Sequence, residues 1–538
     1  MSEIRTGKVA LGLALAGFVL FGASINDPFH FDDVLIINDT NVANPAQWAH
    51  FLNPLLLRQL TFFSFYLNHL FAADNPASYH LVNVLLHIGN SILLFALLAG
   101  WLDRRVALIA SAVFLAHPIQ TEAVMYVYQR STVLACFFSL LALLAWHRDR
   151  RWAAAVLFFC AFESKEAALA VPLLLTWKSG RHLFVIVALV ASLATGTLLV
   201  LDAQQEKTVG IGASDEIPAL TYLLTESRVA YTYLRLLVFP YPQSIEYDFA
   251  VTRSINPQVA AQLIGLAAMF SIGVYLARSK AWHVEGFAIA AFFVLLAPTS
   301  SIIPSIDVAF EHRLYLPMLA FSVLVAAILA RFPEPAWLAV PLVASLALGT
   351  LFRGNVWNND ILLWEDAVKH APAKPRAWFN LGGAYMDSNP ERAAAAYRKA
   401  IELKPDYGGA YYNLGVIDQV KKNYAPAVNA YKKAIRQEPA YWPAWNNFGI
   451  SLMGIGEKER AKQAFQRTLK LNPDHWPARY NIALVDFDAG RFEQTIPLLR
   501  SVLEWRPDFR DARFLLAESL ARSGHPQEAQ QERAKISK

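Results

Sequence analysis

The chain has 538 residues, 55% of them hydrophobic and 17% charged, with a formal net charge of +5 at neutral pH. Soluble domains carry about 25% charged residues, so the shortfall excludes an ordinary soluble protein and points to lipid. The small net charge comes with no basic-aromatic motif for nucleic acid, and the two cysteines, Cys136 and Cys160, sit in apolar runs with no metal-type Cys/His spacing.

In chain order, Arg5 and Lys8 precede an apolar run at 9–25, read as a retained first helix because no small-residue cleavage site follows. Further apolar runs follow at about 81–100, 106–118, 131–147, 152–163, 167–178, 183–201, 258–277, 285–298, 314–331 and 335–352, giving about eleven spans. Residues 55–72 read as an interfacial amphipathic helix in the first outer loop. Residues 221–240 read as a non-spanning or re-entrant helix.

Basic clusters fall between alternate spans: Arg104 and Arg105, His147 to Arg151, Lys178 and Arg181, Arg278 and Lys280, and Arg331. All of them lie on one side if the N-terminus is cytoplasmic. An odd number of spans then places the C-terminal region outside the cell membrane.

That region is soluble and repetitive. Pro405, Pro439, Pro473 and Pro507 are spaced 34 residues apart, and Trp378 to Tyr385 reads W-x2-L-G-x2-Y. This is the tetratricopeptide (TPR) pattern of paired helices that bury a shared face only by stacking on one another. The reading gives a membrane body over 1–352, a connecting half-repeat helix at 353–375, repeats at 376–511, and a polar capping helix with a tail at 512–538. Such an array binds polypeptide along its groove; a spacer or oligomerisation arm is the plainer alternative.

Polar residues interrupt the body on its expected outer face. Asp32 and Asp33 follow the first span, and a carboxylate pair there serves as a general base, a cation ligand or simply a solvated cap. Three further clusters lie between apolar runs: His117, Glu122 and Arg130; Lys165 and Glu166; Glu311, His312 and Arg313. Charges at membrane depth are costly unless paired or lining a cavity, so the clusters read as walls of one polar site. Lys and Arg there suit a lipid-phosphate sugar donor, neutralising the phosphate as it leaves.

The strings "FDD" at 31–33, "YHLVNVLLH" at 79–87, "HPIQTEAVMYVYQR" at 117–130, "SKEAALAVP" at 164–172 and "EHRLYLP" at 311–317, followed by repeats after "RGNVWNND", carry a resemblance. In that order they resemble the transmembrane-and-TPR O-mannosyltransferases and their prokaryotic counterparts, of the GT-C class of integral-membrane glycosyltransferases, over nearly the whole chain. The resemblance implies an all-α, polytopic membrane domain of GT-C type followed by an extracytoplasmic TPR α-solenoid, in a prokaryotic inner or plasma membrane. It implies transfer of one sugar, typically mannose, from a polyprenyl-phosphate donor to Ser or Thr of an exported polypeptide.

By the class's pattern the catalytic base is Asp32 or Asp33; the sequence does not choose. Charge logic assigns the donor phosphate to Arg58, Arg130, Lys165 and Arg313, with His117, Glu122, Glu166, Glu311 and His312 in support. The TPR groove holds the acceptor, its residues unassigned. No metal ligand is assigned, although the Asp pair is compatible with a divalent cation. Two rivals remain: an enzyme acting on an envelope glycan or lipid, and a non-catalytic scaffold recruiting partners through the repeats. A transporter would show an inverted repeat, and none is visible.

Overall fold

The computed structural model describes residues 6–52, 58–175, 218–301 and 307–536. All regular elements among them are helical, and they form two compact units, Met1–Pro372 and Ala373–Lys538. The expected span at 183–201, the end of the one at 167–178, and Lys178 and Arg181 lie outside the described residues.

In the first unit, five described helices are long and apolar enough to cross a membrane: Thr6–Asn26, Pro76–Leu98, Val127–His147, Pro257–Leu276 and Ala336–Trp357. A sixth is a broken pair, Arg104–Ala116 and Pro118–Met125, bent by 53°. Pro118 cannot continue the first of these helices, and the His117 ring caps the second by accepting from the Ile119 N–H at 3.2 Å. Glu166–Leu175, His283–Leu296 and Pro317–Leu329 are shorter apolar helices, and Arg151–Ser164 has 14 residues. Thus about half of the eleven runs form full-length apolar helices among the described residues.

Local chemistry sets the boundaries. The Asn75 carboxamide accepts from Ala77 N–H with Pro76 beside it, and the Asp103 side chain accepts from Arg105 N–H. Leu11, Leu15 and Val19 on the first helix stay exposed, as do Ile264 and Tyr275 on Pro257–Leu276. Bare apolar stripes of this kind are stable against lipid, not water; the body is that of an integral-membrane protein.

The segment at 221–240 lies in a 20-residue helix, Ala219–Val238. Its Glu226, Arg228 and Arg235 keep it from the apolar class. The expected amphipathic helix begins later than the sequence implies, at Gln59, after Arg58 in a left-handed conformation (φ 59°).

The second unit is a stack of five helix pairs: Pro375–Tyr385 with Pro390–Leu403, Gly408–Val420 with Tyr424–Gln437, Trp442–Gly454 with Lys458–Leu471, Trp476–Asp488 with Phe492–Trp505, and Arg510–Arg522 with Pro526–Ile536. Gly382, Gly415 and Gly449 let the paired helices touch: a Cβ on each would lie 2.6 Å from the ring of Tyr397, Tyr431 and Phe465 respectively. The single capping helix expected at 512–536 is two helices instead. Gly524 turns the chain at φ +84°, and Pro526 starts the next helix, matching Gly456 and Gly490 in the preceding pairs.

Candidate active site

The two aspartates have different fates. Asp33 is fully buried. Its Oδ1 accepts from Tyr128 N–H at 2.7 Å, and its Oδ2 accepts from His30 N–H at 3.0 Å and Val127 N–H at 3.4 Å. Burial pushes its carboxyl up to about 7, against the pull of those N–H groups. Asp32 precedes it at the helix start without capping it and stays partly exposed. Its N–H donates to the Tyr126 hydroxyl at 3.3 Å, and its carboxyl also faces that hydroxyl.

The basic residues also divide. Arg58 forms a two-pronged pair with Glu166, Nε to Oε2 at 3.1 Å and Nη2 to Oε1 at 2.8 Å. Both remain part-exposed. Arg58, Thr61, Phe62, Phe65, Tyr128 and Ser131 line a small pocket with room for about one water. Lys165 donates from Nζ to Thr132 Oγ1 at 2.5 Å and Gln129 Oε1 at 3.1 Å. Burial, then the neighbouring Arg58, pushes its ammonium down to about 7.

Arg313 is held by the Tyr222 hydroxyl at 3.0 Å, Glu226 at 3.2 Å and two backbone carbonyls. His312 stacks on Phe310 and presents Nδ1 to Glu122 Oε1 at 2.5 Å. Burial holds its imidazole well below its ordinary range, and Lys165, Arg313 and Arg58 push it the same way. Three cationic groups, Arg58, Lys165 and Arg313, therefore act on one another and on a neutral His312 across one region, and an anion placed among them relieves the repulsion.

Arg130 is drawn elsewhere. Its guanidinium donates to Asn83 Oδ1 at 2.9 Å, Asn68 Oδ1 at 2.6 Å, and the carbonyls of Tyr79 at 2.9 Å and Ser64 at 3.3 Å. It also lies over the Phe65 ring. With those donors engaged, it ties Gln59–Ala72 to Pro76–Leu98. His117 has both ring nitrogens engaged, one by Ile119 N–H and the other by Leu237 O at 3.0 Å. Glu311 is the acceptor for Ser244 N–H at 2.8 Å, Gln243 Nε2 at 2.7 Å and the Tyr247 hydroxyl at 2.5 Å. Its own N–H donates to Glu122 Oε2 at 2.8 Å.

Sequence reasoning missed Glu226, Gln243, Ser244, Tyr247 and Tyr128. The first is a charge in an otherwise helical pattern, a readable signal. Gln243, Ser244 and Tyr247 lie in irregular backbone that carries no periodicity. Tyr128 sits within electrostatic reach of Arg58 and Glu166 and also of Asp32 and Asp39. No group of three or more His, Cys, Asp or Glu side chains is placed to hold a metal ion among the described residues.

The chain thus combines a helical membrane body, polar at one internal region, with a tetratricopeptide array. Tetratricopeptide-repeat family models match residues 361–407, 387–441, 446–494 and 486–538. The chain is similar to protein O-mannosyl-transferase TMTC3 of Homo sapiens, with 26% identity over 66% of this chain and 46% of that protein. It is similar to the Mus musculus TMTC3, with 25% identity over 77% of this chain and 53% of that protein. Over a shorter stretch, 27% of this chain and 17% of the relative, it is 33% identical to protein O-mannosyl-transferase TMTC1 of Mus musculus. The chain spans about half the length of the first curated relatives it matches. Among solved structures, YrrB, described as a TPR protein with an unusual peptide-binding site, matches 32% of this chain and 90% of its own at 24% identity and a TM-score of 0.31.

Proposed function

We propose that the chain is a glycosyltransferase that moves a hexose, mannose by its relatives' names, from a polyprenyl-phosphate donor to Ser or Thr of exported polypeptides. The observation that carries this reading is Tyr128, which lies within electrostatic reach of both the partly exposed Asp32 and Arg58, the latter acting on Lys165 beside Arg313. Asp33, consumed by three backbone N–H groups, fixes the loop, and Asp32 is the base. It takes the proton from the acceptor hydroxyl, whose oxygen attacks the anomeric carbon while the C–O bond to phosphate breaks. One displacement inverts that carbon.

Arg58, Lys165 and Arg313 stabilise the departing phosphate, and Glu122 fixes the neutral His312 ring beside them. Glu166 and Glu226 orient the two arginines. The first helix enters from the cytoplasm, the reaction faces outward, and the array holds the acceptor at high local concentration.

The test is transfer by purified full-length protein from polyprenyl-phosphate mannose to a Ser/Thr-containing peptide, read as a peptide mass gain of one hexose. No gain on any hydroxyl-bearing polypeptide, with hexose appearing on a glycan or lipid instead, would move the function to that acceptor.

A further inference from the structure

The loop carrying Asp32 is gripped from the far end of the unit. His30, fully buried, donates from Nδ1 to Asp360 Oδ1 at 2.6 Å across 330 residues of sequence. Trp364 and Phe31 meet edge to face, 5.5 Å between ring centroids. Trp357, also fully buried, lies 5.8 Å from the His30 ring and 6.2 Å from that of Tyr126, the residue that faces Asp32. The Asn358 carboxamide reaches Asp27 Oδ1 at 3.2 Å and donates to it when its nitrogen is turned that way.

Asp360 and Trp364 share one helix face, being four residues apart on Asp360–His370. That helix is fixed at its start by the Asn359 side chain, which accepts from Ile361 N–H at 2.7 Å. The gripped loop is strained: Phe31, next to Asp32, has φ +47°, a conformation that a residue with a Cβ adopts only when its surroundings hold it. The His30 N–H is also one of the three that fix Asp33.

We propose that the Asp360–His370 helix, the last element before the repeats, is a positioning element of the reactive loop, with Asp360 acting through His30 and Trp364 through Phe31. The role at catalysis rests on the reading of Asp32 as the base. The His30 imidazole is fully buried while the Asp360 carboxylate is 40% exposed, so the pair ties the loop interior to the helix without the full desolvation cost of a buried ion pair. Its placement two residues from Asp32 gives it a use: it holds a strained turn in one geometry.

The test uses the full chain in nanodiscs, as wild type, Asp360→Ala and Asp360→Asn, with hydrogen exchange read over residues 27–35. Loss of one hydrogen bond to a charged group raises exchange there by about tenfold in D360A. D360N, whose amide oxygen still accepts from His30 Nδ1–H, stays near wild type, and peptides from Pro76–Leu98 are unmoved in both. In the transfer assay D360A lowers kcat about tenfold and leaves the donor KM unchanged. Unaltered exchange over 27–35 in D360A overturns the grip, and faster exchange with unaltered kcat overturns the positioning role. Should wild-type protein transfer no sugar, the exchange result still decides the grip, and only the enzymatic reading falls.

Discussion

At the scale of single residues, two neighbouring aspartates of identical chemistry are separated by what their carboxylates already accept. Asp33 is built into the loop, and removing it leaves three buried N–H groups to find new partners. Asp33→Ala therefore lowers stability by about 2–4 kcal/mol, read as a fall in Tm, and costs activity through the fold. Asp32→Asn leaves Tm in place and lowers kcat by about a hundredfold or more, the usual scale for a general base.

The sequence shows the pair but not this division, because two of the deciding N–H groups belong to Val127 and Tyr128, over 90 positions away. Lys165 adds a pH signature. With its ammonium pushed down to about 7, it is cationic below that pH and neutral above it. The donor KM is accordingly low in mild acid and rises several-fold as pH passes above about 7. Lys165→Arg, charged throughout, flattens that profile; an unchanged wild-type KM from pH 6 to 8.5 would remove Lys165 from the phosphate site.

At the scale of elements, charge inside the body separates into walls and braces. Arg130 braces two helices, and Arg58 sits at the edge of a pocket with one carboxylate for company. Arg130→Ala costs several kcal/mol, about 1–3 for each buried neutral acceptor left without a donor, while the donor KM of the surviving folded fraction is unaltered. Arg58→Ala raises the donor KM about tenfold, the loss of one charged hydrogen-bonded contact, with little change in Tm. Thermal melts and donor titrations on the same preparations separate the two.

Polar interruptions of apolar runs are legible in the sequence, but of the three clusters expected to wall one site Glu122, Lys165, Glu166, His312 and Arg313 act on one another, while Arg130 and His117 are engaged elsewhere. What each guanidinium binds was not legible, since Asn68, Asn83 and Tyr79 read as ordinary helix residues until the helices are packed. Span lengths misled for a related reason. Hydropathy runs through Pro118, whereas the backbone bends there and the His117 ring takes over as a cap.

At the scale of the whole molecule, the 34-residue period alone makes the array readable in the sequence, and its glycines say how it is held. Gly415 packs under the fully buried Tyr431 ring. Gly415→Val forces that ring away at about 1–3 kcal/mol and raises the KM for a long polypeptide acceptor, with the donor KM unchanged. The fifth helix pair escaped the reading because its helices are polar and lack the aromatic signature. The Gly456, Gly490, Gly524 spacing of 34 residues was the signal available.

The proposed function rests on protein glycosylation with Asp32 as base. It is tested most directly by intact mass spectrometry of exported proteins from the source organism, wild type against an Asp32→Asn strain whose protein inserts at normal levels. Hexose-sized increments are expected on Ser/Thr-containing peptides in the wild type, and their loss in the mutant. Identical exported-protein masses in the two strains would contradict it.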